Sequence, residues 1–571
     1  MDDARMISPS SALGRMVLYL AAAMVALAVP KAMIVTRWYF LHQDAPAALA
    51  MIGLFVLAMR WTPGWRLPQA APSAPSARLV LAIALLLALA SWWGTYAVMR
   101  DYPVTRDELM VGFDGAIFAA GALALPLPAL WSGYALALVP DFLLDVPGHA
   151  LLVSGYMPVN AALRAGFAQV ADPALLNPLL AAGGLVLLHG QARRLFADCA
   201  GARWVALAGY LLSAQILVTA MTPYAMTAHL AFNLLWLSLF LRDRWWSHGA
   251  AMLVGAAAIG LHQVVFHPLF AGPFILTLLA ARRWRLFGVY ALAYAAALLF
   301  WISWPQIVVA TSGIAIDPAA GAGTAGGASF LHDRVLPLLR DRDPRTIPLM
   351  LYNLLRAITW NAAFVVPFAI LALPAIRRGE GLARPLVAGV LLTLLAMTVL
   401  LPYQGHGWGY RYLHGLLGNA ILLAGYGYRE LARRMPREAE GLALLLALGT
   451  LPIIAWQVVT AHHFVVPYAQ LTQLIERQRS DVVILDTEAP FSAIDQVRNR
   501  ADLTNLPLVV SSVHLSPEQV AALCARGTVT LLGRAHFPHV GFAPGTPADA
   551  TLFARRTAPI AGRACLRAPL R

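Results

Sequence analysis

Charge is scarce in this chain. Only 12% of its 571 residues are Asp, Glu, Lys or Arg, while 60% are hydrophobic. Soluble domains carry about 25% charged residues, so an ordinary soluble protein is excluded. Lysine is almost missing: Lys31 is the only one, and the remaining basic residues are arginine. The formal net charge is still +14, from 42 basic and 28 acidic residues. In a soluble chain that surplus would point to nucleic acid. Here it fits arginine-bearing loops facing an anionic leaflet, so membrane lipids are expected as partners and nucleic acid is not. Cysteine is rare as well. Cys199, Cys524 and Cys565 have no metal-ligand spacing. No cofactor is expected, and no metal is indicated, although a divalent ion held by carboxylates stays open. The apolar runs do not alternate in two-residue steps, which excludes a membrane β-barrel.

What is present is a series of continuous apolar runs of bilayer length. Hydropathy predicts about thirteen spans between residues 13 and 460, two of them short, at 249–262 and 267–281. The first run, Leu13–Val35, has no A-x-A cleavage site close behind it and is read as a retained span. Arginines such as Arg193, Arg194, Arg242, Arg244, Arg282, Arg283, Arg377, Arg378 and Arg433 fill one set of short loops. The opposite set holds only Arg37 and Arg411. The first set is therefore placed in the cytoplasm, together with the N-terminus, and the C-terminus outside.

The expected fold is a polytopic α-helical membrane protein with a small C-terminal α/β domain outside the cytoplasm. Residues 1–77 supply an N-terminal tail and two extra spans. Residues 78–460 form a transmembrane core with a large outer loop at 99–173, and 461–571 the α/β domain. A second outer segment, 305–347, contains the flexible run "GAGTAGGASF". In the tail, "DVVIL", "LPLVVSS" and "TVTLLG" read as buried strands. "SPEQVAALCARG" reads as a helix with Ser516 as N-cap, Pro517 at the first position, Gln519 at the third and Gly527 just past the end. Cys524 and Cys565 would pair in an oxidising compartment; Cys524 fits a small core position equally well.

The loop 99–173 opens with "YPVTRDELMVGFDGAIFAAG", Tyr102–Gly121. Its later apolar pieces, interrupted by Pro126, Pro128, Pro140 and Pro147, are expected as helices lying along the membrane surface. Two readings of the acids compete. Thr105 as N-cap with Glu108 at the third helical position makes a capping box. A carboxylate at a membrane surface also suits a general base toward a hydroxyl. Neighbouring helical positions diverge by about 100°, so Asp107 and Glu108 cannot share one pocket. Asp107 and Asp114, seven apart, share a face.

After this "DE" pair come "SGYMP" with Gly155, Tyr156 and Pro158, then "NPLL" (177–180) and "ARRLF" (192–196). That order resembles the lipid-linked-sugar-dependent glycosyltransferases of the GT-C superfamily, in particular the protein O-mannosyltransferase and lipid A aminoarabinose transferase branch. The likeness covers residues 78–430 or so. This chain departs from the pattern in its two extra N-terminal spans, a looser "SGYMPVNAA", and an acid-free turn "MTPYAMTAH" (221–229).

Further polar residues stand in apolar surroundings. In "LHQVVFHPLF", His262 and His267 are five apart, which is not a helical metal-pair spacing. They are candidates for sugar or phosphate contact, or for capping at a helix break. "YQGHGWGYRYLHG" (403–415) has glycines at 405, 407 and 409 around His406, Trp408, Tyr410, Arg411 and Tyr412. Its aromatics suit sugar stacking or an interfacial belt. Arg411 suits bidentate phosphate binding, and the resemblance, which includes a W-G-x-R-Y-like turn, implies the same role. Arg356 and Asn361 are expected near the start of a span, where an arginine snorkels. Tyr224 and His229 are expected to line an outer cavity.

The resemblance implies an enzyme of a bacterial inner membrane that moves a sugar from a polyprenyl-phosphate donor to an acceptor hydroxyl on a glycan, lipid or protein. Asp107 would be the base, Glu108 an orienting group, and Asp114 a reserve candidate. Tyr156, His262, His267, His406, Tyr410 and Arg411 would contact substrate. The rival reading is a lipid or glycan transporter or flippase; a third is a non-catalytic assembly partner. No repeated halves of transporter type are evident, and the polar clusters fall at one surface.

Overall fold

A computed structural model of the chain describes residues 7–28, 34–61, 73–139, 143–144, 146, 150–313, 344–488, 493–541 and 550–570. The run "GAGTAGGASF", Pro140 and Pro147 lie outside the described residues. Two compact units are formed. One comprises Met1–Val98, Ala174–Ile302 and Gly327–Thr460; the other comprises Met99–Pro173, Ser303–Gly326 and Ala461–Arg571. The loop 99–173 and the tail, separate segments in the sequence reading, therefore fall in one unit.

The first unit is helical. Apolar segments crossing a bilayer must satisfy every backbone amide internally, which a helix does. Among the described residues, seven helices are long and apolar enough to span: Pro9–Ala28, Val35–Arg60, Ala77–Ala97, Pro173–Leu195, Trp284–Ile302, Ala383–Leu400 and the 41-residue Pro436–Glu476. An eighth arises if Ala200–Leu211 and Ala214–Ala220, bent by 48°, count as one broken span. The thirteen spans of the hydropathy reading are not matched by thirteen such helices. Four of the other predicted spans fall on helices of only 15 or 16 residues, Ala225–Phe240, Trp245–Ile259, Phe266–Ala280 and Leu417–Ala432, and two fall on interrupted helices, across whose breaks hydropathy averages. The predicted span 352–375, for example, is a helix Thr346–Thr359 followed by the short helices Val365–Leu371 and Leu373–Arg378. Helices Ala225–Phe240 and Phe266–Ala280 are apolar but shorter.

The second unit carries a four-stranded parallel sheet in the order Leu508–Ser511, Val482–Leu485, Val529–Leu532, Leu566–Arg567. Val482 pairs with Leu508 on one side and Val529 on the other. The first three strands are those expected from their β-branched runs; the fourth is only two residues long. The predicted helix is present at Pro517–Arg526, with the Ser516–Gln519 capping box. Gly527 follows it, but in extended backbone (φ −175°) rather than the left-handed conformation of a usual C′ glycine. A Cβ there would lie 2.6 Å from Asp481 Oδ2, so a larger residue would have to displace that carboxylate. Of the two readings for Cys524, the structure shows the disulfide with Cys565, joining this helix to the edge-strand segment.

One apolar core runs through this unit. Side chains two apart on a strand face the same way, and Val482, Ile484 and Val510 present such a face. Against it pack Met110, Phe113 and Ile117 of the helix Arg106–Ala119, Leu127 and Leu138 of the loop, and Val520 and Leu523 of the tail helix. The apolar pieces of the loop are only in part the helices that the sequence suggested. Residues 125–126 pair antiparallel with 151–152, and 129–138 form short helical turns. Leu127, Tyr134 and Leu138 bury in the core with the sheet, a destination invisible in a local hydropathy pattern, while Leu123, Leu130 and Leu136 stay exposed.

Candidate active site

The helix Arg106–Ala119 starts at a cap. Thr105 is extended (φ −111°, ψ 163°), and its hydroxyl accepts from Glu108 N at 3.4 Å. Glu108 reciprocates: its Oε2 accepts from Thr105 N at 2.9 Å and Thr105 Oγ1 at 3.0 Å. Both halves of the capping box are thus in place. Glu108 is 1% exposed. Burial raises its pKa to about 7, against the lowering effect of the Thr105 hydrogen bonds.

The tail grips the approach to this helix. Tyr102 donates its hydroxyl proton to Gln496 Oε1 at 2.8 Å. Arg106 is buried; it donates to the carbonyls of Val497 (3.2 Å) and Ile494 and lies 3.5 Å from Asp495 Oδ1. Arg498 sits 4.0 Å from the centre of the Tyr102 ring and donates to the Pro103 carbonyl. These partners come from residues nearly four hundred positions downstream, which is why no sequence window reveals them.

Asp107 and Asp114 do share a face, and both reach the same short segment. Tyr156 donates its hydroxyl proton to Asp107 Oδ1. Ser154 donates its backbone N–H to Asp114 Oδ1 at 2.9 Å and its hydroxyl to Oδ2. Ser154 Oγ also accepts from Tyr156 N at 3.2 Å. Asp114 is 2% exposed, and burial lifts its pKa to about 6 even though the Ser154 bonds favour its charge. Of the three acids, Asp107 alone is not fully buried. Ser154 was not singled out from sequence; it is the residue that ties the G-Y-x-P segment to the acidic helix.

In the first unit, the turn 403–415 is held by its own side chains. Gln404 Oε1 accepts from Arg411 N at 3.0 Å, and Gly405 (φ +66°) and Gly409 (φ +71°) take the left-handed backbone that the turn requires. Trp408, Tyr410 and Tyr412 are buried in protein and form no interfacial belt. The Tyr410 carbonyl accepts from Gln215 Nε2 at 2.8 Å. Arg411 is half-buried, with its guanidinium 5.2 Å from the Tyr412 ring centre. His406 Nδ1 pairs with the Tyr39 hydroxyl.

His267 is fully buried, with Nδ1 2.7 Å from Asn233 Oδ1 and Nε2 2.7 Å from the Tyr294 hydroxyl, an internal polar bridge. His262 is half-buried, and its ring stacks parallel to Phe266 at 6.0 Å. Tyr224 and His229 are each 2% exposed. Arg356 does not snorkel: it is fully buried against Asp44. Among the described residues, no group of three or more His, Cys, Asp or Glu is placed to hold a metal ion.

The fold and these clusters define a polytopic helical membrane protein with a compact α/β region that carries an anchored acidic helix. No family model and no curated protein matches the chain. Two solved structures of ArnT from Cupriavidus metallidurans are similar to it at 12% identity. The one bound to undecaprenyl phosphate has a TM-score of 0.48 and covers 74% of this chain and 85% of its own. The apo form has a TM-score of 0.45, with 73% and 84% covered.

Proposed function

We propose that this chain is a membrane glycosyltransferase that moves a sugar from a polyprenyl-phosphate donor to an acceptor hydroxyl, with Asp107 as general base. The observation that carries the reading is the sorting of the three acids. Glu108 is occupied by the helix cap and Asp114 by Ser154. Asp107 is the one with exposed surface, and the Tyr156 hydroxyl orients it. It follows the end of the apolar helix Ala77–Ala97 by ten residues, so it belongs to a segment leaving a membrane span.

In the proposed reaction Asp107 takes the proton of the acceptor hydroxyl. The acceptor oxygen bonds to the anomeric carbon, and the bond from that carbon to the phosphate oxygen breaks. Its electron pair leaves with the polyprenyl phosphate. Arg411 is assigned to the charge that grows on that phosphate, since a guanidinium matches phosphate oxygens in a bidentate way. The reaction is placed on the non-cytoplasmic face of a bacterial inner membrane, following the arginine asymmetry of the loops and the family resemblance of the motifs. Membranes carrying the protein should consume a radiolabelled polyprenyl-phosphate sugar and release polyprenyl phosphate. A protein that moves such a lipid across the bilayer without consuming it would be a flippase, and the proposal would be abandoned.

A further inference from the structure

The proposed chemistry leaves a buried acid and a buried arginine without a role. Asp44 ends a π-helical turn, Phe40–Asp44, between the helices Ile34–Tyr39 and Ala45–Trp61. Arg356 lies on the helix Thr346–Thr359. Both side chains are 0% exposed, and Arg356 Nε is 3.4 Å from Asp44 Oδ2. Charges inside apolar helices are costly and tend to be kept for function, and π-turns occur often at functional positions.

The pair is the middle of a longer chain of contacts, all within the first unit. Trp360 donates its indole N–H to Asp44 Oδ1 at 2.9 Å. The Arg356 guanidinium stands 4.7 Å from the Tyr39 ring centre and 5.6 Å from that of Tyr352. Its Nη2 donates to the Gly407 carbonyl at 2.6 Å. The Tyr39 hydroxyl makes a second, direct link to His406. The N-terminal helices thus reach the turn 403–415 by two routes. Across Gly407 lies the stem of Arg411: a Cβ at Gly407 would be 3.2 Å from Arg411 Cδ and 3.6 Å from its Cβ and Cγ.

We propose that Asp44 is a positioning residue for Arg411: it holds Arg356, Arg356 holds the Gly407 carbonyl, and that stretch of backbone sets where the Arg411 guanidinium stands. The proposal rests on the assignment of Arg411 to the donor phosphate. It gives the N-terminal helices, which lie outside the motif resemblance, a part in donor recognition. A pair that served stability alone would be replaceable by neutral residues at little cost.

The test uses the full chain in lipid nanodiscs, with two readouts: hydrogen exchange of the backbone amides at 405–411, and steady-state kinetics with a polyprenyl-phosphate sugar. Three variants are compared: Asp44→Asn, Asp44→Glu, and the neutral double variant Asp44→Asn with Arg356→Met. Asp44→Asn should speed exchange in the turn, raise KM for the lipid donor roughly tenfold and lower kcat as well, because the displaced guanidinium serves both the bound phosphate and the charge that grows on it. Asp44→Glu should recover part of both. The double variant, free of an unpaired buried charge, should regain thermal stability but keep the raised KM and the fast exchange. It also decides the matter should Asp44→Asn fail to fold. A double variant with wild-type KM and wild-type exchange would overturn the inference. If the wild-type protein consumes no polyprenyl-phosphate sugar, the functional reading fails, and the exchange arm decides separately. Fast exchange at 405–411 in the double variant supports the positioning chain; unchanged exchange there refutes it.

Discussion

The hydroxyl of Tyr156 donates a hydrogen bond to the carboxylate of Asp107, 49 residues earlier in the chain. This bond fixes one oxygen of the proposed base and sets the direction of the other. Tyr156→Phe removes the bond while keeping the ring and its packing. A single such hydrogen bond contributes about 1 kcal/mol, so kcat/KM for transfer should fall roughly fivefold to tenfold. A melting temperature equal to that of the wild type would confirm that the loss is not one of folding. Full activity in Tyr156→Phe would show that the contact does not orient the base.

Glu108 gives a pH prediction with a definite sign. Its pKa rises from 4.5 to about 7 on folding because the carboxyl is buried. A raised pKa stabilises the folded state fully below the unfolded value, and that contribution is lost as pH climbs through the folded value. Asp114, raised to about 6, acts in the same direction. The melting temperature should therefore fall as pH increases from 4.5 toward 7 and just above. Glu108→Gln should flatten part of that slope and be relatively more stable at the alkaline end. Identical slopes for variant and wild type would show that Glu108 does not titrate in this range.

The Cys524–Cys565 disulfide links residues 41 apart. Closing a loop of that length restricts the unfolded chain by about 4 kcal/mol in the chain-entropy model. The double variant Cys524→Ala, Cys565→Ala should lower the melting temperature of the α/β unit, and reductant should do the same to the wild type without further effect on the variant. Because this sheet shares its core with the helix carrying Asp107, transfer should decline in parallel with the unfolding of that unit. Transfer that persists while the sheet melts would separate the two.

Much of this was legible in the sequence, for local reasons. The Thr105–Glu108 and Ser516–Gln519 boxes are matters of three-residue spacing. The tail strands announce themselves by β-branched runs, and the seven-residue spacing of Asp107 and Asp114 placed them on one face before any partner was visible. The partners themselves were not legible. Arg106 finds Asp495, and Tyr102 finds Gln496, across nearly four hundred residues of chain. Nothing near Asp114 in sequence names Ser154. Asp44 and Arg356 carry a weaker signal. Each is a charge in an apolar stretch, and two such charges of opposite sign invite pairing; taken by itself, Arg356 suggests snorkelling. The span count is met by seven long helices and not by thirteen, because hydropathy registers composition and neither the short helices of 15 or 16 residues, such as Ala225–Phe240 and Phe266–Ala280, nor the break at Trp360–Phe364.

The most direct test of the account is Asp107→Asn, measured in a single-turnover assay with a radiolabelled polyprenyl-phosphate sugar and saturating acceptor. Asparagine keeps the size of the side chain and can still accept from Tyr156, but it cannot take a proton. The transfer rate should fall by roughly 10² to 10⁴, the usual contribution of a general base, with donor binding and melting temperature unchanged. A rate within about twofold of wild type, well inside the loss of a single general base, would contradict the assignment of Asp107 and with it the mechanism proposed for this protein.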